Sequence, residues 1–246
     1  MQPFNVIALG ALTLLLSACQ SLSPPTPPTA VQRTAWEAQQ DGCQGERCPL
    51  VNIDTLSFPE QPQLSALVER ALLEMTRDQP KAPLPASLQA YQQAFLSRAE
   101  PGWNSYLQAK VREQHDDLVI VELSSYLSTG GAHGMPGRGF INFDLTQQQA
   151  LSLSDMLLAG QETAFWNTVQ RSHQAWLKSE QLDQDADFVA NWPFQHSPNI
   201  ALTSDALSLK YDVYSIAPYS MGHPELKVPY AQLNGILKPQ YFPGGD

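Results

Sequence analysis

The sequence predicts an α+β fold, with mostly antiparallel sheets packed against helices in two intimately joined subdomains. Two observations predict it. In several segments apolar residues recur at helical spacing, and in others apolar and polar residues alternate as they do in strands. Turn residues separate the alternating stretches at short intervals, which favours antiparallel pairing. Helices combined with such strands indicate the α+β class.

The N-terminus resembles that of a bacterial lipoprotein. The apolar run from Val6 to Leu16 is shorter than the roughly 20 residues that span a bilayer, which is typical of a signal peptide. The residues from Leu16 to Cys19 resemble a lipobox, although no Lys or Arg precedes the apolar run. We therefore expect residues 1–18 to be removed and Cys19 to carry lipid, including palmitate. The alternative is an ordinary secretory signal with Cys19 a bystander.

Residues 19–49 are predicted to form a lipid-anchored tether that ends in a small disulfide loop. The tract around Pro24 and Pro28 is proline-rich, which favours extended and unpacked chain. Cys43 and Cys48 lie close together in a chain predicted to be exported, so we expect them to form a disulfide. A metal site is the alternative, but the chain has no second cysteine pair to complete one. By resemblance to enterobacterial sorting, Gln20 favours the outer membrane.

The charge balance restricts the possible partners. The chain has 14 Lys and Arg against 24 Asp and Glu, a net charge of −10. An acidic protein is not expected to bind nucleic acid, which needs basic stripes, or to lie broadly on anionic lipid. The acidic surface would favour encounter with a cationic partner. The alternative is that the charge serves only to keep the protein soluble.

The segment 50–135 is predicted to be an N-terminal companion subdomain. Its LVIVEL stretch within 118–127 is apolar on both faces, which predicts a central strand that is covered on both sides. Ser87 is expected to cap the second helix. The predicted elements are a strand at 50–58, helices at 63–77 and from 87, and strands at 103–113 and 118–127.

The segment 136–240 is predicted to be the C-terminal α+β domain. A glycine-rich loop at 130–139 leads into it, and either Ser152 or Ser154 is expected to cap a helix. His173 falls at helical spacing from Val169 and is expected at the edge of the core. The predicted elements are a strand at 140–145, a helix at 161–179, a hairpin of 199–202 and 207–216, a short strand at 225–229 and a helical turn at 230–237.

Two segments of the chain resemble a known family. They are 126–134 (YLSTGGAHG), followed by 140–144 (FINFD), and 214–222 (YSIAPYSMG), followed by Val228, Pro229 and Tyr230. With the helix start at 151–157 (LSLSDML), they are similar to the RsiV-like domain of RsiV-type anti-sigma factors and PdaC-type cell-wall deacetylases. The resemblance covers roughly residues 51–237. It implies an extracytoplasmic α+β module, which recognises lysozyme in RsiV-type proteins and accompanies a catalytic domain in PdaC-type enzymes.

The resembling segments also supply candidate contact residues. The glycines beside His133 would let a ligand approach the backbone closely, and Tyr219 is a rigid aromatic residue on a loop. The alternatives are structural: His133 would fix a tight turn, and Tyr219 would cap the edge of the core. The candidate ligand-binding residues are Tyr126, Gly130, Gly131, His133, Pro218, Tyr219, Gly222 and Tyr230.

No catalytic constellation is evident in the sequence. It contains no GxSxG elbow, and its spacing offers no convincing set of metal ligands. We therefore expect no catalytic residue, no metal and no cofactor. The predicted function is a non-catalytic envelope lipoprotein whose RsiV-like module binds a lysozyme-type protein or peptidoglycan glycan. The alternatives are a cell-wall hydrolase or deacetylase, and a structural protein that docks another envelope component.

Overall fold

The computed structural model describes residues 28–77 and 79–244, and a six-stranded sheet occupies the first part of this chain. Its strands lie in sequence order, and every neighbouring pair is antiparallel except β2 and β3. The crossover between that parallel pair contains two helices, as parallel strands require. The strands are β1 (Gln32–Gln39), β2 (Leu50–Ser57), β3 (Asn104–His115), β4 (Leu118–Ser128), β5 (Met135–Asp144) and β6 (Gln149–Ala150).

The two crossover helices cover one face of this sheet. They are α1 (Pro62–Glu74) and α2 (Leu88–Arg98). In α1, Leu64, Val68 and Leu72 follow one another by four residues and are fully buried against the sheet. Helix α2 begins after Ser87, whose hydroxyl accepts a hydrogen bond from the Ala90 N–H at 3.1 Å. The predicted cap is confirmed.

The C-terminal part adds a second, three-stranded antiparallel sheet and three helices. The first of these helices begins with a capping box, in which Ser152 and Asp155 each satisfy the other's backbone N–H. Ser152 rather than Ser154 is therefore the cap. The elements are α3 (Leu153–Met156), α4 (Glu162–Ser179), α5 (Ala186–Asn191), β7 (Ile200–Leu202), β8 (Leu207–Lys210) and β9 (Glu225–Val228).

Strand β4 is covered on both faces, as its sequence predicts. Val119 and Val121 belong to the core beneath α1 and α2. Leu118 and Ile120 point the other way, into the core that contains α4 and the second sheet. Burial of each such side chain contributes about 1.5–3 kcal/mol. Because alternate residues of β4 point to opposite faces, this one strand contributes side chains to both cores. The combination of helices and mostly antiparallel strands confirms the α+β class.

A buried asparagine connects the second sheet to the first. The Asn142 amide donates to the Ile200 carbonyl at 2.7 Å and accepts from the Leu202 N–H at 2.8 Å. Its side chain thereby takes the place of a neighbouring strand along the edge of β7. Asn142 is 3% exposed, so these bonds satisfy backbone groups that water does not reach.

Charged side chains make a further connection between the sheets. Lys210 of β8 pairs with Glu122 of β4 and lies 3.5 Å from Glu225 of β9. Arg112 of β3 reaches the same two carboxylates, at 3.4 and 3.1 Å. Two cations and two anions therefore alternate in one network, which avoids an unpaired charge at the junction.

Residues 32–39 correct the predicted tether, because they form β1 rather than unpacked chain. The segment is polar, and of its side chains only Trp36 and Ala38 pack against the helix-backed core. As an edge strand it lacks the full apolar alternation that identifies a strand in a sequence. Arg33 holds it by bonds to Asp54 at 2.6 and 3.1 Å. Cys43 and Cys48, just after β1, are joined by a disulfide.

Two further element boundaries differ from the prediction. Strand β5 begins at Met135, inside the predicted glycine-rich loop. Gly137 reflects crowding, since a Cβ at this position would lie 2.7 Å from the Ser125 hydroxyl. The predicted strand at 207–216 ends at Lys210. The predicted division between 135 and 136 falls after the first residue of β5, which pairs with β4 over ten residues, and the division stays a prediction. Cys19 and the predicted signal peptide, residues 1–18, lie outside the described residues.

Candidate functional site

Two segments that are far apart in the sequence meet at one end of the six-stranded sheet. The loop between β4 and β5 carries His133, and the stretch after β8 carries Tyr214 and Tyr219. The His133 and Tyr219 rings stack with centroids 3.9 Å apart and planes 23° apart. The Tyr214 ring lies 6.3 Å from His133 and 5.7 Å from Tyr219. These three rings form a compact group at the surface.

The backbone of Gly134 holds the group together. Its N–H donates to the Tyr126 hydroxyl at 3.1 Å, and its carbonyl accepts from the Tyr219 hydroxyl at 3.2 Å. A Cβ at this position would lie 2.4 Å from the Tyr126 ring and 2.7 Å from the Leu127 carbonyl oxygen. Only glycine therefore permits this approach, and any side chain at 134 would push the Tyr126 ring aside.

The hydrogen bonds of His133 fix its neutral tautomer. Nδ1 lies 3.1 Å from the Gly134 carbonyl, an acceptor, so Nδ1 carries the proton. Nε2 then accepts from the Tyr214 hydroxyl at 3.2 Å. One imidazole thus links the β4–β5 loop to the stretch after β8.

Tyr214 is an exposed ring of the group. It is 46% exposed, and its φ of 66° places a non-glycine residue in the left-handed region. This conformation is uncommon for a bulky residue and has to be supported by its surroundings. Its ring lies against Trp192, with centroids 6.3 Å apart and planes 25° apart. We refer to Tyr126, His133, Trp192, Tyr214 and Tyr219 as the aromatic cluster.

The remaining sequence-predicted residues have different placements. Pro218 directly precedes the short 3-10 helix Tyr219–Met221, and Gly222 ends that helix with φ 67° and ψ −129°, a combination that requires glycine. Gly130 and Gly131 form the exposed tip of the loop, where a Cβ added to either residue would meet no other atom within 4 Å.

Tyr230 is not part of the cluster. Its hydroxyl donates to the Thr203 carbonyl at 2.7 Å, and its ring packs on Phe242 with centroids 5.7 Å apart. Burial raises the pKa of its phenol. Tyr230 therefore packs against the second core, away from the cluster, and its role as a ligand contact stays a prediction.

Sequence reasoning missed Trp192 and Tyr214. Tyr214 begins one of the segments that carry the family resemblance, but the strand expected at 207–216 placed it inside a sheet. Trp192 follows α5, an element that the sequence analysis did not predict. A tryptophan in such a polar stretch is the one signal that could have identified it.

Two further properties can be examined in the described part of the chain: metal binding and the capacity of a helix to span a membrane. In residues 28–77 and 79–244, no group of three or more His, Cys, Asp or Glu side chains is placed to hold a metal ion. No helix in the same residues is long and apolar enough to cross a bilayer.

Comparison with known proteins assigns the family. A crystal structure of a DUF3298 family protein from Pseudomonas aeruginosa PAO1 is 66% identical to this chain, with a TM-score of 0.86. The match covers 89% of this chain and 98% of that one. This chain belongs to the DUF3298 family. The family model, described as a protein of unknown function, matches residues 154–231, which contain Trp192, Tyr214 and Tyr219.

More distant relatives agree with this assignment. A DUF3298 protein from Bacteroides fragilis NCTC 9343 shares the fold at 18% identity, with a TM-score of 0.68 over 88% of this chain and 97% of its own. The peptidoglycan-N-acetylmuramic acid deacetylase PdaC of Bacillus subtilis is 24% identical over 136 residues. That match covers 54% of this chain and 29% of PdaC. The resemblance found in the sequence is thus confirmed as DUF3298 membership.

Proposed function

We propose that this DUF3298 protein is a non-catalytic, lipid-anchored envelope protein that binds a cell-wall-related partner through the aromatic cluster. The observation that carries the proposal is the stacking of His133 on Tyr219 beside the exposed ring of Tyr214. Tyrosine and tryptophan dominate binding surfaces because they bring large contact area and hydrogen-bonding groups with few rotatable bonds. The cluster is also held in place by bonds to the Gly134 backbone, which reduces the entropy lost on binding.

The preferred partner is a lysozyme-type protein. The net charge of −10 favours encounter with a strongly cationic protein, and RsiV-type modules, which this chain resembles, recognise lysozyme. Peptidoglycan glycan is the second candidate, because aromatic rings also serve as platforms for sugars and PdaC acts on peptidoglycan. The cluster brings together phenols, an imidazole and an indole. These groups suit the non-catalytic binding of a partner.

Binding to hen lysozyme tests the proposal. Tyr219→Ala removes the ring that stacks on His133 and should weaken binding at least tenfold, or about 1.4 kcal/mol, as expected for a central aromatic contact. Isothermal titration calorimetry at low and physiological salt measures the effect. The thermal melting curve should stay close to that of the wild type, because Tyr219 lies at the surface of the fold.

A matched variant separates site-specific contact from general charge attraction. His196→Ala changes an exposed histidine outside the cluster and should leave lysozyme binding unchanged. If Tyr219→Ala and His196→Ala bind equally well, the cluster is not the contact surface. If the wild type shows no binding at low salt, the lysozyme assignment fails and peptidoglycan glycan becomes the candidate.

The predicted lipid anchor has its own test. Cys19→Ser should abolish incorporation of labelled palmitate and release the protein from the membrane fraction, because serine offers no thiol for the diacylglycerol. The matched control is Cys43→Ser with Cys48→Ser, which removes both other cysteines. That control should still take up label. Palmitate uptake by the Cys19→Ser variant would contradict the anchor.

A further inference from the structure

A cavity of about 520 Å³ lies apart from the aromatic cluster, in the C-terminal half. It opens between β5, α3, the start of α4 and the chain that enters β7. One wall is the ring of His196 stacked on Trp166, with centroids 3.9 Å apart and planes only 6° apart. Aliphatic side chains from Leu153, Met156 and Ile200 contribute to the remaining wall. The volume lies within the roughly 300–1,000 Å³ of small-molecule sites.

The polar side chains of the cavity are already engaged in the fold, with one exception. Asn142 pairs with the β7 backbone, and the Ser197 hydroxyl donates to the Lys210 carbonyl and accepts from the Asn199 N–H. Ser152 takes part in the capping box of α3. Within the part of the chain that the structure describes, no hydrogen bond to either ring nitrogen of His196 is present. One uncommitted donor and acceptor therefore stands at the rim.

The lining carries no Asp, Glu, Lys or Arg among the described residues. A phosphate, carboxylate or ammonium group entering the cavity would lose water without gaining an opposite charge, which is costly. A purely aliphatic ligand would make no use of the donor and acceptor that the exposed His196 ring presents at the rim. The lining therefore fits a neutral molecule with one flat apolar face and polar edges.

We propose that this cavity binds a neutral sugar ring that bears an N-acetyl group. The apolar face of the ring would contact the wall formed by Trp166 and His196, and a ring substituent would bond to the His196 imidazole. The acetyl methyl would lie against the partly buried Leu153 side chain, next to the buried Met156 and Ile200. The site is additional to the proposed partner site and is independent of it.

The two sites share a chain segment but no contact residue. Trp192 packs on Tyr214 in the cluster. Phe194 and His196 come two and four residues after Trp192 in the sequence, and their rings contact each other. Phe194 lies between Trp192 and His196, packed against the buried His173 with centroids 5.6 Å apart. A variant at Trp166 or His196 therefore alters the cavity while leaving the rings of the cluster in place.

Titration of the purified protein with N,N′,N″-triacetylchitotriose tests the proposal, using calorimetry and tryptophan fluorescence. We expect saturable binding at millimolar concentration or below, with a change in fluorescence from Trp166. Trp166→Ala should weaken binding at least tenfold, and His196→Ala should weaken it severalfold. Trp176→Ala, on the same helix but outside the cavity, is the matched control and should bind as the wild type does. Cellotriose, which lacks the acetyl groups, should bind more weakly.

Several results would overturn the proposal. They are the absence of saturable binding, equal binding by Trp166→Ala, and tighter binding of decanoate than of the trisaccharide. Because Trp166 is half-buried, Trp166→Phe serves as a second variant that keeps a ring, and its melting curve reports the fold. Lysozyme binding is measured on the same variants. If the Trp166 and His196 variants lose sugar binding but keep lysozyme binding, this site is separate from the proposed partner site. If Tyr219→Ala loses lysozyme binding but keeps sugar binding, each proposal can fail without the other.

Discussion

The two faces of β4 are covered in different ways. On one face, α1 and α2 bury a continuous set of aliphatic and aromatic side chains, including Val68 and Leu72, and a buried bond between the Tyr91 and Ser105 hydroxyls joins α2 to β3. On the other face, a comparable core is supplemented by directional polar bonds, from Asn142 to β7 and from Lys210 to Glu122. Apolar burial is nonspecific in direction, whereas these bonds fix the position of the second sheet. The candidate binding residues lie on the side whose position is fixed in this way.

Truncation in the helix-backed core should have the largest effect on stability. Leu72 is fully buried on α1, and Leu72→Ala removes three carbon atoms and leaves a cavity. We expect a loss of about 3 kcal/mol in the free energy of unfolding. Urea unfolding followed by circular dichroism measures it. Leu209→Ala, at a fully buried position of β8, should cost a similar amount, because burial contributes in both cores. A much smaller loss in only one core would show that the two cores unfold separately.

Removal of the asparagine bonds should have a somewhat smaller effect, confined to the second side. Asn142→Ala leaves the Ile200 carbonyl and the Leu202 N–H buried without partners, and we expect a loss of about 2 kcal/mol. The matched control is Asn52→Ala, an amide that bonds to Glu37 near the surface, which should change stability by no more than about 0.5 kcal/mol. Equal losses in the two variants would contradict the role assigned to Asn142.

Acid should destabilise the second side through its buried histidines. Burial lowers the pKa of His173 and of His223 below the ordinary value of 6.5. Below that value the unfolded chain takes up protons that the folded chain does not, so stability falls as the pH drops from about 7 toward each folded-state pKa. His173→Gln removes one of these titrations. Its free energy of unfolding should depend less steeply on pH between about 7 and 5.

The control for the pH prediction is a surface substitution that removes no titratable group. Ser97→Ala changes an exposed residue of α2 and should leave the pH dependence of unfolding as it is in the wild type. Parallel curves for wild type and His173→Gln would mean that His173 is protonated without penalty in the folded chain. Its unpartnered Nε2 makes that outcome unfavourable, since a buried charge there would have no acceptor among the described residues.

The candidate sites differ in how far the sequence could indicate them. His133 and Tyr219 were identified from two motifs, and their rings stack in the structure. The Tyr219 hydroxyl also bonds to the carbonyl of Gly134, which lies 85 residues earlier in the sequence. Trp166 and His196 were not identified. His196 directly precedes Ser197 and Pro198 in the sequence, and no local pattern connects it to a helix 30 residues earlier. Ring stacking between distant segments has no periodicity that a single sequence can reveal.

The sequence by itself determined the class of fold, the covered strand β4 and the helix cap at Ser87, and it narrowed the cap of α3 to Ser152 or Ser154. Each of these features depends on residues within one or two helical turns, or on the alternation of side chains along a strand. Interactions between residues close in the sequence therefore specify it. Only the tertiary structure decided that 32–39 is an edge strand, that Tyr230 belongs to the core and that Trp192 joins the aromatic cluster. Those outcomes depend on which distant surfaces meet, and an edge strand or a paired ring obtains its partner from residues that the local sequence does not specify.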